Sequence, residues 1–205
     1  MNYAVKATHL TGPRSDGRSL QLLTAHDADS LEAFYLGLDF DNRRSRFGGG
    51  QSDQSIVAYC RTIHWQRAVI IARGSSHLLD AVLEIHPLSQ NWDRAEITLA
   101  CPLDGDRSRI SAELFQLAAV TAGGRGCSEF VMYLNDGCAD ATGIFGDMAR
   151  KSCDGEVLSF DIRDYAITAR WRGQRRAISK PEDHSAISRS QASRNDPESA
   201  FHEAP

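Results

Sequence analysis

The feature that most constrains the fold is the order in which helical and extended hydrophobic patterns follow one another along the chain. Apolar residues that recur every three or four positions indicate a buried helical stripe, and short aliphatic runs bounded by turn residues indicate strands. Between residues 19 and 171 these patterns predict the order β-αα-βββ-α-β-α-ββ. Such an order favours one soluble α/β domain in which helices cover a sheet around a common core.

The N-terminal part of the pattern predicts a strand over residues 19–23 and two helices after it. Each helix has one stripe of apolar positions with helical spacing. These positions are Leu31, Phe34, Tyr35 and Leu38 in the first helix and Ile56, Tyr59, Cys60 and Ile63 in the second. Between the helices, residues 41–46 indicate a polar turn and residues 48–50, all glycine, a flexible loop. Ser52 then offers a capping oxygen to the second helix.

The central part predicts three strands, over residues 68–72, 79–85 and 95–101, which form an antiparallel meander. Side chains alternate along the third strand, so two sets lie on opposite faces. The first set is Ala95, Ile97, Leu99 and Cys101, and the second is Glu96, Thr98 and Ala100. Glu96 is therefore predicted to lie on the more polar face of a central strand.

A helix follows the meander and ends at Gly123 and Gly124, where glycine commonly terminates helices. Its apolar side is formed by Ile110, Leu114, Leu117, Ala118 and Thr121. The remaining predicted elements are a strand over 130–134, a helix over 139–151 and strands over 157–162 and 165–171. These elements complete the sheet and its helical cover.

The two ends of the chain lack this periodicity. Residues 1–18 contain turn-forming glycine and proline and are predicted to be an N-terminal arm. Residues 173–205 are mostly polar and are predicted to form a disordered, solvated C-terminal tail. The folded domain is thus expected to span residues 19–172.

Composition excludes several classes of protein. A net charge of −4 argues against a nucleic-acid-binding protein, because phosphate contacts require a basic surface. The sequence has no apolar run of about 20 residues, so we expect no membrane span. Seven histidines show no zinc-binding spacing, so no metal site is predicted. The N-terminal residues show no signal-peptide pattern, so we expect a cytoplasmic location. Five cysteines without a Cys-x-x-Cys pair indicate reduced thiols. They are Cys60, Cys101, Cys127, Cys138 and Cys153.

Local features at several of these elements carry a family resemblance. Residues 22–31 form a strand that leads into the first helix, and residues 38–47 connect the two helices with three arginines and Phe47. Asn135 ends the strand that follows the central helix. In their order and spacing these features resemble the GNAT superfamily of N-acetyltransferases over residues 19–171. The resemblance implies a central mixed, mostly antiparallel sheet flanked by helices.

The resemblance also implies where acetyl-CoA would bind as the co-substrate. In the family the fourth and fifth strands separate, and the pyrophosphate rests on amides at the start of the central helix. The family's Arg/Gln-x-x-Gly-x-Gly/Ala pattern is replaced here by Asp106, Arg109 and Ser111 at its three key positions. Arg107 and Arg109 can instead contact phosphate through their side chains, or they belong to a solvated loop. The implied cofactor-binding residues are Leu99, Cys101, Arg107, Arg109, Ile110, Ser111 and Asn135.

Three residues are candidates for the chemistry. Glu96 lies where family members that use a carboxylate base have one, although a strand glutamate can equally face solvent or pair with an arginine. Ala149 occupies the position of the family's tyrosine acid, so Tyr133 is the substitute, unless it is half-buried packing. His86 precedes Pro87 at a strand end and either lines the substrate side or is an ordinary exposed histidine.

The function that the resemblance implies is acyl-CoA-dependent transfer, most simply of an acetyl group, to an amine. The acidic balance favours a cationic acceptor such as a polyamine, an aminoglycoside-like molecule or a protein lysine. The alternative is a non-catalytic GNAT-like binding or regulatory module that has lost acetyl-CoA binding. The departures from the family pattern at Asp106, Arg109 and Ala149 support this alternative. Both alternatives leave a homodimer open.

Overall fold

A computed structural model describes residues 17–75, 78–101, 106–134, 150–151 and 156–163. Its four α-helices are α1 Ala28–Leu36, α2 Phe40–Phe47, α3 Asp53–Thr62 and α4 Arg107–Gly123. Its strands are β1 Ser19–Leu23, β2 Val69–Gly74, β3 Leu79–Pro87, β4 Arg94–Ala100, β5 Glu129–Tyr133, β6 Arg150–Lys151 and β7 Val157–Asp161. No helix in the described ranges is both long enough and apolar enough to cross a bilayer.

The strands form a single sheet in the order β1-β2-β3-β4-β5-β7-β6. Strands β1 to β4 are successive antiparallel neighbours, and β7 is antiparallel to both β5 and β6. Among the described strands, only β4 and β5 run parallel, with α4 as the crossover between them. The prediction of a mixed, mostly antiparallel sheet flanked by helices is confirmed.

Each face of the sheet is covered by a separate hydrophobic cluster. Helices α1 and α3 pack on one face through residues of both predicted stripes, including Leu31, Tyr35, Ile56 and Cys60. Helix α4 packs on the other face through Leu114, Phe115 and Ala118, among others. The alternation predicted for β4 holds, since Ile97 joins the α4 cluster and Ala100 the opposite one. Glu96 therefore lies on the face covered by α1 to α3.

The prediction of a polar turn over residues 41–46 is wrong, because these residues form most of α2. The side chain of Asp39 caps this helix by accepting a hydrogen bond from the amide of Asn42 at 2.8 Å. Gly48 then ends it in the left-handed conformation, with φ at 71°. A helix so rich in polar residues shows little hydrophobic periodicity, and for this reason its sequence resembles a turn.

The predicted helix over residues 139–151 is also wrong at its end, where Arg150–Lys151 form strand β6. Arg150 pairs with Ser159 and Lys151 with Leu158 at the edge of the sheet. Pairing with β7 outweighs the helix propensity of arginine and lysine, which is only a weak local preference. The rest of that helix and the strand predicted over 165–171 lie outside the described residues. The division into arm, domain and tail stays a prediction.

Candidate active site

The sheet opens between the two parallel strands β4 and β5. Their register comprises three pairs, Arg94 with Glu129, Ala95 with Phe130 and Glu96 with Val131. Strand β4 continues to Ala100, and β5 continues to Tyr133, beyond the last of these pairs. Within the described strands the ladder thus ends at Glu96, and a fork begins there.

Glu96 and Tyr133 lie on the two sides of this fork. Tyr133 comes two residues after Val131, the register partner of Glu96, so both side chains lie on the same face of the sheet. Glu96 is half-buried, whereas Tyr133 is 49% exposed. Exposure to that extent favours an accessible phenol over interior packing. Helix α2 packs against β4, so a bound molecule at the fork would lie close to that helix.

Helix α4 begins shortly after β4 ends, and its first turn is arranged unusually for a helix N-terminus. The N-cap residue is Asp106, and its side chain makes no capping hydrogen bond to the first-turn amides. It accepts a hydrogen bond from Arg109 instead, and Arg109 also bonds to Glu113 at 3.3 Å. The hydrogen bond and charge of Asp106 raise the pKa of Arg109. The start of α4 therefore keeps amides that its own cap does not satisfy.

The other predicted cofactor-binding residues are mostly buried. Cys101, Ile110 and Ser111 are buried, and Leu99 is partly buried against the α4 cluster. Burial raises the pKa of the Cys101 thiol, and the nearby charge of Arg107 opposes this rise. A molecule bound here would meet the backbone of these residues more readily than their side chains. Asn135 lies outside the described residues.

A buried charged cluster on the face of Glu96 is absent from the sequence prediction. Its centre is Glu84 of β3, whose side chain is fully buried. Glu84 Oε1 accepts a hydrogen bond from the Tyr35 hydroxyl, and Oε2 accepts one from Tyr59. Arg46 Nη2 lies 2.9 Å from the same Oε2, and His86 Nε2 lies 2.7 Å from it. Four side chains from four different elements thus converge on one carboxylate.

The electrostatics of the cluster keep Glu84 ionised. Burial alone would raise the pKa of the Glu84 carboxyl, but the Arg46 guanidinium, the His86 hydrogen bond and Tyr35 together hold it well below its ordinary value. Burial and the negative charge of Glu84 raise the pKa of Tyr35 and of Tyr59. Both phenols therefore stay protonated and act as donors.

Arg46 is enclosed by aromatic rings as well as paired with Glu84. Its guanidinium carbon lies 5.4 Å from the ring centre of Tyr35, 4.8 Å from that of Phe47 and 5.2 Å from that of Tyr59. A cation over aromatic faces gains electrostatic stabilisation, more so where water is excluded. This enclosure fixes α2 against α1, α3 and β3.

His86 links the buried cluster to the fork. Its side chain is 34% exposed, and Glu96 is its register partner across β3 and β4. Opposite residues on neighbouring strands have side chains within contact distance on the same face. The structure thus brings together Glu96, His86 and Tyr133 on one face.

One sequence signal points to the cluster. Glu84 stands within a run of aliphatic residues, beside Leu83 and Ile85, where an unpaired charge would be costly. A carboxylate in such a strand needs a buried cation as its partner. The sequence pattern predicts that Arg43, Arg44 and Arg46 lie in a polar turn, and it therefore does not indicate which of them is buried. No group of three or more metal-binding side chains occurs in the part of the chain that the structure describes.

Comparison with known proteins places this geometry in a known fold. No protein-family model matches the sequence, and no curated protein is similar to it. Among solved structures, the GNAT domain of S. lividans PAT superposes with a TM-score of 0.57 at 21% identity, covering 71% of this chain and 92% of that one.

Two further structures superpose over nearly their whole length. A GNAT-family acetyltransferase from Staphylococcus aureus Mu50 gives a TM-score of 0.55 at 10% identity, over 71% of this chain and 99% of that one. A spermidine N-acetyltransferase chimera from Vibrio cholerae and hSSAT gives 0.51 at 10%, over 72% and 97%. The chain has the fold of the GNAT N-acetyltransferases, as the sequence resemblance predicted.

Proposed function

We propose that this protein is an acyl-CoA-dependent N-acyltransferase that transfers an acetyl group directly from the thioester to an amine. The observation that carries the proposal is the fork between β4 and β5, with Glu96 and Tyr133 on the same face at its two sides. The fold supports it, since two of the neighbouring structures are acetyltransferases by name. Fold alone does not determine function, so the proposal depends on the residues at the fork.

The start of α4 fits the pyrophosphate of acyl-CoA. A helix N-terminus carries unsatisfied amides and a partial positive charge, and Asp106 leaves the first-turn amides without a side-chain cap. In the proposal Arg107 and Arg109 add side-chain contacts to phosphate, and Leu99, Cys101, Ile110, Ser111 and Asn135 line the path to the fork. Bound acyl-CoA supplies the activated carbonyl carbon.

The residues at the fork supply the two proton transfers of the reaction. An ammonium must lose a proton before its nitrogen can attack, and Glu96 is proposed to accept that proton, directly or through water. The departing thiolate must gain a proton, and Tyr133, which is 49% exposed, is proposed to donate it. Each transfer is of the type that contributes about 10²–10⁴-fold to enzymatic rates.

The proposed acceptor is a cationic amine, either a small molecule such as a polyamine or aminoglycoside or a protein lysine. A carboxylate at the fork and the net charge of −4 favour cations. One structural neighbour is a spermidine N-acetyltransferase by name. The free state of Cys60, Cys101 and Cys127 supports a reducing compartment, and the cytoplasm is the proposed location.

One observation favours a second candidate, a non-catalytic GNAT-like module. Arg109 pairs with Asp106 and Glu113, so a residue proposed to bind phosphate is already held by two carboxylates. The Asp106 carboxylate would also repel a pyrophosphate at the helix start. A chain with this arrangement can keep the fold and have lost its affinity for acyl-CoA.

An acyl-transfer assay separates the two candidates. The purified chain is incubated with acetyl-CoA and, in turn, with spermidine, kanamycin and a lysine-containing peptide, and free CoA thiol is followed together with the mass of the product. Amine-dependent thiol release with a mass increase of one acetyl group supports the enzyme. Absence of product with every amine at millimolar acetyl-CoA supports the module.

A further inference from the structure

The pairing of Glu84, His86 and Glu96 on one face of the sheet points to a role for the histidine. We propose that His86 is the final acceptor of the proton that the substrate ammonium loses, with Glu96 passing the proton on and Glu84 holding the imidazole in position. This inference rests on the proposed N-acyltransferase function and adds a residue to its chemistry.

The hydrogen bond that His86 donates to Glu84 fixes the state of the imidazole. Glu84 is an ionised carboxylate and can only accept, so His86 Nε2 carries the hydrogen of their 2.7 Å bond. In the neutral ring the other nitrogen, Nδ1, then bears the free lone pair. Among the described residues Glu84 is the single hydrogen-bond partner recorded for His86. Nδ1 is thus available to take up a proton.

The position of His86 suits a relay through Glu96. The two residues are register partners on adjacent strands, and Glu96 forms the last pair of the β4–β5 ladder, where the fork begins. The imidazole is 34% exposed, so a proton that reaches it can leave to solvent after each cycle. Glu84, by contrast, is fully buried and can act only through His86.

Imidazole is better suited than a carboxylate to hold this proton at neutral pH. Free imidazole side chains titrate near pH 6.5 and glutamates near pH 4.3. A general base works best when its own titration lies close to the working pH. In the proposal Glu96 makes the contact with the ammonium, and His86 holds the proton until product leaves.

The protons balance over one cycle. The substrate R–NH₃⁺ gives one proton through Glu96 to His86 Nδ1, and the resulting amine attacks the thioester carbonyl carbon. The C–S bond then breaks, the nitrogen loses its second proton, and the thiolate gains one from Tyr133, which that second proton restores. The products are the amide, free CoA thiol and one proton that imidazolium releases to water.

The charge that this imidazolium would carry is matched by its surroundings. The titratable and charged groups around it are Glu84 on β3, Glu96 on β4, Arg46 on α2, Tyr35 on α1 and Tyr59 on α3. Two carboxylates face one guanidinium, and both phenols stay neutral because their pKa values are raised. One positive charge on His86 makes this group neutral overall.

The test replaces the imidazole while keeping its hydrogen bond. His86→Gln retains an N–H donor for Glu84 but has no titratable nitrogen, and we expect kcat with acetyl-CoA and the best amine to fall about 100-fold or more. The pH profile of wild-type kcat should have a limb that rises as imidazole loses its proton. This pH limb should be absent from His86→Gln. Thr98→Val, on the same face of β4, is the control and should keep both kcat and the pH limb.

A second measurement reports on His86 without turnover. Nitrogen-15 NMR of the histidine rings should show the neutral His86 ring protonated at Nε2, and Glu84→Gln should change that signal. A ring protonated at Nδ1 would overturn the inference, as would full kcat and an unchanged pH limb in His86→Gln. A wild-type chain without any turnover would instead overturn the proposed function, and the proton-acceptor role with it.

Discussion

Arg46 and Glu84 form an ion pair in the interior, with Nη2 of the guanidinium 2.9 Å from Oε2 of the carboxylate. Their side chains are 6% and 0% exposed. The pair joins α2, a helix of polar sequence, to the middle of the sheet. Because the same carboxylate also bonds to His86 Nε2, one residue supports both the fold and the candidate site.

Breaking this pair from one side should be strongly destabilising. Arg46→Met leaves Glu84 buried without its cation, and such a change costs about 3–5 kcal/mol of unfolding free energy. Glu84→Leu leaves the Arg46 guanidinium buried without its anion and should cost a similar amount of unfolding free energy. The double variant should lose clearly less than the two single losses added together, as urea unfolding of all four proteins would measure. Additive losses would show that the pair is not coupled.

The same carboxylate should make stability depend on acid. The folded pKa of Glu84 lies below its unfolded value, so its contribution is present above about pH 4.3 and is lost as the pH falls towards the folded pKa. Below pH 4, each pH unit should cost about 1.4 kcal/mol from this group. Urea unfolding of Glu84→Gln, compared with the wild type between pH 2.5 and 7, should show a shallower acid decline. Parallel curves would contradict the assignment.

Tyr35 and Tyr59 should make the free energy of unfolding fall at high pH. Their folded pKa values are raised, so their contribution is complete below the unfolded value of about 10 and is lost as the pH rises from there towards the folded pKa. Tyr35→Phe should remove part of this alkaline loss, which unfolding at pH 9 to 11 would measure. Tyr133→Phe, at an exposed position, is the matched control and should leave the alkaline curve as in the wild type.

The elements that the sequence predicted well are those with one apolar face. Leu31 and Tyr35 in α1, and Ile56 and Cys60 in α3, are buried as their spacing required. Helix α2 was not predicted because its buried residue is an arginine and Phe47 packs inward only at its end, so the sequence shows no apolar stripe with helical spacing. Strand β6 escaped because its conformation depends on β7, which is close in space and not in local sequence.

The site was predictable only in part, for a related reason. The face of Glu96 follows from strand alternation, and its place beside the fork follows from the resemblance. Glu84 and Arg46 are 38 positions apart in the sequence and lie in different elements, so no local pattern predicts their contact. His86 was recognised as a candidate, but its orientation depends on that buried carboxylate.

Removal of the carboxylate at the fork tests the proposed base. Glu96→Gln should lower kcat at pH 7 about 100-fold or more and leave the KM for acetyl-CoA nearly unchanged, because the amine contact is lost and the α4 site is not. Glu129→Gln removes a carboxylate that pairs with Arg94 on the same two strands, and it should keep kcat within about twofold. Equal activity of Glu96→Gln and the wild type would rule out this base.

The described cysteines should react slowly in the folded protein. Burial raises the pKa of Cys60 to about 11 and also raises the pKa of Cys101 and Cys127, so little thiolate forms at pH 7.5. Iodoacetamide labelling followed by peptide mass analysis should find these three sites largely unmodified until urea is added. Rapid labelling of Cys60 in the native chain would contradict its place on the buried side of α3.

Calorimetric titration with acetyl-CoA and with free CoA is the most direct test of acyl-CoA binding at the start of α4. We expect saturable binding of both at micromolar concentration, weakened about tenfold in Arg109→Ala, since a charge-assisted contact with phosphate contributes about 1.5–3 kcal/mol. Arg61→Ala, on exposed α3 surface, should bind as the wild type does. No heat of binding at millimolar ligand would contradict the acyltransferase proposal and favour a GNAT-like module without acyl-CoA.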